Sequence, residues 1–294
     1  MRDSMIQLLG RPFEHSNIWQ AGSVERKIVQ AMIEDSLVHS YETIDELRFE
    51  LKLRKNIIAS AKAMNESNMD FEVFSTSRCN PKYWILTESG GFRLRNDVLP
   101  SDAIEDFYRN SSLYGFECAT AKVILLYHAI LNTIGKQTFD HFFQNLYLYS
   151  WHYDPDLGLR STRTDHFIPG DIVYFKNPDV NPSTPWWRGE NGVLLEDGMF
   201  FGHGIGIMTG EEIINYLNKM RKSESAVSAY QLNSAARPAF KHLATLSMNR
   251  QRFDLSKIPH IVINHNKDSI SLERYQRYLT QTYSLINGMN PFKM

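Results

Sequence analysis

Only two cysteines occur in the chain, Cys79 and Cys118, and their settings differ. Cys79-Asn80-Pro81 reads as a turn. Cys118 precedes a stretch in which Ala119, Val123, Leu126, Tyr127, Ile130 and Ile134 recur at helical spacing, up to Gly135, which suits a helix end. The spacing therefore predicts Cys118 in the first turn or two of a buried helix. Unpaired backbone N–H groups and the positive end of the helix dipole favour a thiolate there, the form a nucleophile needs. The same position suits a small core residue. Glu117 acts in two directions, since its charge opposes a thiolate while its oxygens can take the thiol proton.

A cysteine nucleophile needs a base, and ten histidines are too many to choose from without geometry. Asp197-Gly198 between two apolar runs predicts a two-residue hairpin loop, pairing Leu194 with Phe201 and Gly192 with His203. In that register Glu190 and His203 are diagonal neighbours on one face, Gly192 leaves space beside them, and Asn191 faces away. Cys118, His203 and Glu190 then supply a nucleophile, a base and an orienting acid. A shift of one residue would separate Glu190 from His203, and a histidine in such a strand is often structural. His128 reads as a core histidine, and His152 and His166 lack a comparable partner. The aromatics Trp186, Trp187, Phe200 and Phe201 flank this region; they are either core or, more specifically, a wall that keeps water from a reactive acyl group.

The elements that must position these residues follow from periodicity. Val24, Ile28, Val29, Met32 and Ile33 lie on one helical face; Thr43-Ile44-Asp45-Glu46 reads as a capping box opening a helix to about Met64, with Ile44, Leu47, Leu51, Ile57 and Ile58 as core. Phe71 to Thr76, Tyr83 to Thr87 and Leu146 to Tyr153 have strand character, and Pro100-Ser101-Asp102 starts a further helix. From Asp171 the period becomes that of a sheet, through Ile172–Phe175, Val193–Leu195 and Met199–Phe201. Glu211 to Lys222 is again helical. Helices first and a sheet later imply an α+β fold. One amphipathic segment follows, through Leu272, Tyr275, Leu279, Tyr283 and Ile286.

Composition narrows the classes. Thirty-two basic against thirty-three acidic residues give a net charge of -1, so no global field draws the chain to nucleic acid or anionic lipid. Met1 to Asn17 lacks the apolar stretch of a secretory signal, and no apolar run approaches the ~20 residues of a membrane helix. The expectation is a protein resident inside a cell, without membrane or nucleic-acid partners. Two cysteines without zinc spacing exclude a disulfide framework and a structural zinc site.

Six segments together resemble the protein-glutamine gamma-glutamyltransferases of Bacillus spore coats: Phe49–Arg54, Phe116–Ala121, Trp151–Tyr153, Tyr174–Pro178, Trp187–Asn191 and Phe201–Ile207. They stand in family order over roughly residues 15 to 240. The resemblance implies Cys118 as nucleophile, with His203, Glu190 and Glu117 in the catalytic set. Trp187, Trp186, Phe71 and Trp151 are the candidate substrate-binding residues. It also implies calcium independence, glutamine- and lysine-bearing coat proteins as substrates, no cofactor, and a passage from the cytoplasm of the sporulating mother cell to the coat. More remotely, Pro169–Phe175 and the His203 strand look like NlpC/P60 peptidases, which implies a papain-like fold with an antiparallel sheet flanked by helices. A cysteine peptidase or amidase, and a non-enzymatic coat protein, are the alternatives. Residues 1–245 are expected to form the catalytic domain and 246–294 a C-terminal extension.

Overall fold

The computed structural model describes residues 5–13, 18–249, 262, 263, 265 and 269–286. Its helices are α1 (Val24–Glu34), α2 (Ile44–Asn65), α3 (Pro100–Arg109), α4 (Cys118–Ile134), α5 (Lys136–Phe142), α6 (Gly210–Lys219), α7 (Phe240–Asn249) and α8 (Leu272–Ile286). Thr43 caps α2 by accepting the Glu46 N–H, but the Glu46 carboxylate returns to the Glu42 N–H rather than to the cap residue. The capping box is thus half formed, with its second arm displaced by one residue.

Helix α4 is apolar nearly all round and is buried on nearly every side. It packs along α2, against α3 and α5, and against the Gly189–Leu194 strand. His128 on α4 was expected in the core but is half-buried: Ser60 Oγ lies 2.8 Å from its Nδ1, and its ring stacks on Tyr108. The last helix, α8, joins the same core through Leu272 and Tyr275. Among the described residues no helix is long and apolar enough to cross a membrane.

Six antiparallel strands form the main sheet, in the spatial order Gly206–Met208, Phe200–Gly202, Gly189–Leu194, Ile172–Lys176, Tyr230–Arg237 and Arg160–Arg163. The fold is α+β, as expected. Three strand expectations need correction. Phe71–Thr76 splits into a two-residue strand, Asp70–Phe71, and a 3-10 turn, Phe74–Thr76; Leu146–Tyr153 keeps only Tyr147–Leu148 as strand. The third concerns the hairpin. Gly192 pairs with Gly202, Val193 with Phe201 and Leu194 with Phe200, one residue away from the register of a two-residue loop. Glu196, Asp197 and Gly198 form a three-residue loop, closed by the Leu195 N–H on the Met199 carbonyl at 2.8 Å. Gly198 takes φ +84°, the left-handed residue such a loop requires, and Asp197 Oδ1 accepts the Met199 N–H.

The helices are tied to this sheet by a buried ionic cluster. Arg54 on α2 donates to Glu50 and to Asp171, each at 2.9 Å, and Arg237 donates twice to Asp171, at 2.6 and 2.8 Å. Burial alone would raise the Asp171 carboxyl, but Arg54 and Arg237 outweigh it and hold the group below its ordinary value. Gly170 makes the turn at φ +91°, where an added Cβ would press on Arg54. Removing one partner strands a buried charge, so Asp171→Ala is expected to lose about 3–5 kcal/mol in urea unfolding. A depressed carboxylate contributes stability above its unfolded value, near 3.9, that is lost as pH falls through the folded value. The native chain should therefore lose more stability than Asp171→Ala on titration from pH 5 to pH 3.

Candidate active site

Cys118 is the first residue of α4, and Glu117 is its N-cap. The Glu117 carboxylate accepts the Ala119 and Thr120 N–H groups at 2.8 and 2.7 Å, and the Thr120 hydroxyl at 3.0 Å. Burial raises this carboxyl, and those donors only partly offset it. With its oxygens committed to the helix start, Glu117 is built as a cap.

The Cys118 thiol is 1% exposed. Its Sγ lies 2.6 Å from Ser269 Oγ and 3.5 Å from Asn191 Nδ2. Burial, then the charges of Glu190 and Glu117, push the thiol well above its ordinary value; the Ser269 hydroxyl and Lys122 act the other way. Glu190 is fully buried, and its Oε1 has no hydrogen-bond partner among the described residues. Burial raises its carboxyl to about 8, Glu117 adds to the rise, and Lys122 and the backbone N–H groups of His203 and Asn191 oppose it. Gly202 makes room for this side chain, since a Cβ there would stand 3.0 Å from Glu190 Cγ.

His203 lies just past the end of the Phe200–Gly202 strand. The shifted register removes the ladder pairing expected of it, and Glu190 meets it through its backbone N–H rather than across the strands. Its Nε2 donates to the Asp70 and Phe116 carbonyls at 3.2 and 3.1 Å, and its ring stacks on Phe116. Burial, then Lys122, lowers the imidazole to about 3, so it is neutral at working pH with the proton on Nε2. The structure thus places His203 beside the residues that lead into Cys118.

The aromatic candidates surround this centre. Phe71 stacks on Trp187 with ring centroids 5.4 Å apart and approaches His203 at 6.1 Å; Trp187 also meets Tyr216 edge-on. Trp186 is half-buried in the adjoining apolar cluster. Trp151 is fully buried, and its Nε1 donates to the Ile270 carbonyl at 2.8 Å.

Three residues escaped the sequence reading. Asn191 reaches the thiol, with Nδ2 3.5 Å from Cys118 Sγ, although it was expected to face away. Ser269 carries no local signal. Lys122 did carry one, a lysine four residues after Cys118 on an apolar helix, which places it one turn along the same face. It is fully buried, with Nζ 3.4 Å from the Phe201 carbonyl and 4.5 Å from the Phe201 ring centroid. Burial lowers this amine, but Glu190, Cys118 and Glu117 all favour its charge. Its amine favours the ionised forms of Cys118 and Glu190 in turn. Lys122→Met should slow alkylation of Cys118 by iodoacetamide at pH 8 by roughly tenfold, since losing the cation raises both the thiol and Glu190; Lys122→Arg should recover part of the rate.

A buried thiol at a helix N-terminus thus stands beside a buried carboxyl raised to about 8, with the Phe71, Trp187 and Phe116 rings grouped around the neighbouring His203. The comparisons specify the class. The family model described as protein-glutamine gamma-glutamyltransferase matches residues 5–247. A protein-glutamine gamma-glutamyltransferase of Halalkalibacterium halodurans is 52% identical over 282 residues, 95% of this chain and 98% of that one. One from Bacillus mycoides is 44% identical over 76% of this chain and 82% of its own length. The solved structure of a transglutaminase from Geobacillus stearothermophilus, without its C-terminal extension, aligns with a TM-score of 0.67 and 48% identity, covering 69% of this chain and 98% of that one. The chain belongs to the protein-glutamine gamma-glutamyltransferase family.

Proposed function

We propose that the enzyme cross-links proteins of the bacterial spore coat by way of a Cys118 thioester. The thiol loses its proton to Glu190 as sulfur attacks a glutamine side-chain carboxamide; the protonated Glu190 returns it to the departing amide nitrogen, which leaves as ammonia. A lysine amine then attacks the thioester, Glu190 takes a proton from the amine and gives one back to sulfur, and an isopeptide bond remains. His203 serves as a neutral positioning residue, holding the Phe116 carbonyl with its ring and the Glu190 carboxyl with its backbone N–H. Glu117 sets the start of the helix. Phe71, Trp187 and Trp186 form the wall that favours an amine over water as acceptor, and Trp151 lines the donor side.

The observation that carries this reading is Cys118 at the first position of α4, beside a buried Glu190 with an oxygen that has no hydrogen-bond partner among the described residues. The choice of coat proteins as substrates, and of mother cell and coat as locations, rests on the six-segment resemblance. Incorporation of a fluorescent primary amine into a glutamine-bearing protein, with equal ammonia release, is the expected result. Ammonia without incorporation would move the assignment to a hydrolase. No step uses a metal ion, so a calcium chelator should leave the incorporation rate unchanged. Spores made without the enzyme should yield coat protein with fewer gamma-glutamyl-lysine cross-links.

A further inference from the structure

Ser269, Ile270 and Ser271 run over the active site rather than beside it. The Ile270 carbonyl accepts from two side chains, Trp151 Nε1 at 2.8 Å and Asn191 Nδ2 at 3.2 Å. The Asn191 amide also lies 3.5 Å from Cys118 Sγ, so a carbonyl held there sits within one side-chain group of the nucleophile. The Tyr174 hydroxyl donates to the neighbouring Ser269 carbonyl at 2.9 Å, and Ser269 Oγ covers the sulfur at 2.6 Å. Trp151, Asn191, Tyr174 and Ile270 are all nearly excluded from solvent. Two fixed donors converging on one carbonyl oxygen, in a water-poor place next to a thiol, are what polarisation of an acyl carbonyl demands: they need no reorganisation when negative charge develops on that oxygen.

We propose that Trp151 Nε1 and Asn191 Nδ2 form the pocket for the glutamine carboxamide oxygen, and that the chain's own Ser269–Ser271 segment fills it as an internal ligand until an acyl donor displaces it. The oxygen of the donor takes the place of the Ile270 carbonyl oxygen, and Tyr174 is left to bind a backbone carbonyl of the donor polypeptide. Trp151 and Asn191 thereby become catalytic residues in contact with substrate. The segment explains why the thiol is covered, since a water-filled site would expose it. The catalytic half of the proposal rests on the Cys118 acyl-transfer reading, and the occupancy half does not.

Occupancy is read without turnover. In Ser269→Cys protein treated with oxidised glutathione, a disulfide to Cys118 should form, removing two of three thiols and blocking iodoacetamide at Cys118 until reduction; Ser271→Cys should form none. Ile270→Asp should raise the alkylation rate of Cys118 at least tenfold, with half-buried Cys79 as the internal reporter that the fold persists. No disulfide in Ser269→Cys, or no acceleration in Ile270→Asp, would overturn the internal ligand. For the pocket, Trp151→Phe and Asn191→Ala should each lower kcat by about 100-fold with KM within a few-fold of native. Unchanged kcat in both, while Cys118→Ala is inactive, would overturn the pocket and leave the acyl-transfer reading standing. No amine incorporation by the native chain, together with disulfide formation in Ser269→Cys, would count against that reading alone.

Discussion

Cys118→Ala is expected to abolish amine incorporation, a fall of at least about 10⁴-fold in kcat/KM, while the protein remains folded. The second cysteine, Cys79, is a poor substitute nucleophile, because burial pushes its thiol up to about 12. The cost in stability should be small, on the order of 1 kcal/mol, because the change removes one sulfur atom from a helix whose apolar contacts otherwise remain. The measurement is the incorporation rate beside the urea midpoint of the same sample. Lost activity with an unmoved midpoint separates chemistry from folding, whereas retained incorporation would exclude the thioester.

Glu190→Gln is the second large effect, and its two readouts move oppositely. Activity should fall by roughly 10²- to 10⁴-fold, the usual contribution of a positioned proton acceptor. Stability at alkaline pH should rise. The folded carboxyl sits at about 8, above its unfolded value near 4.3, so between those pH values the folded state holds a proton that the unfolded state does not. Stability from this group is therefore fully present below about pH 4 and is lost as pH rises through 8. Glutamine keeps the shape without the ionisation, so the variant should overtake the native chain in denaturant resistance between pH 6 and pH 9. The native activity should rise over the same range, as Glu190 ionises and becomes able to accept the thiol proton. An inflection near pH 6.5 that disappears in His203→Gln would instead assign the base to the imidazole.

The helical half of the molecule was readable because its signals are local. The apolar period of α4 and the glycine at its end placed Cys118 within a turn of its position, and the α2 stripe marked the surface that packs on it. The sheet was less readable. Asp197-Gly198 fits both two- and three-residue loops, and the choice between them rests on how the Leu195 and Met199 backbones close. The Arg160–Arg163 and Tyr230–Arg237 strands lack apolar alternation, and only their pairing with each other and with Ile172–Lys176 makes them strands. The contact of Ser269 with Cys118 spans 151 residues of sequence, and no periodicity reports such a meeting. Lys122 illustrates an intermediate case: its spacing from Cys118 was visible, but its meeting with Glu190 depends on a strand distant in sequence.

The most direct test of the account is intact-mass analysis of the enzyme incubated with a glutamine-bearing donor peptide and no amine acceptor, quenched in acid. The expected result is an adduct equal to the donor mass less ammonia, mapped to Cys118 and released by hydroxylamine. Ammonia production with no adduct at Cys118 under any quench time, or an adduct that persists in Cys118→Ala, would contradict it.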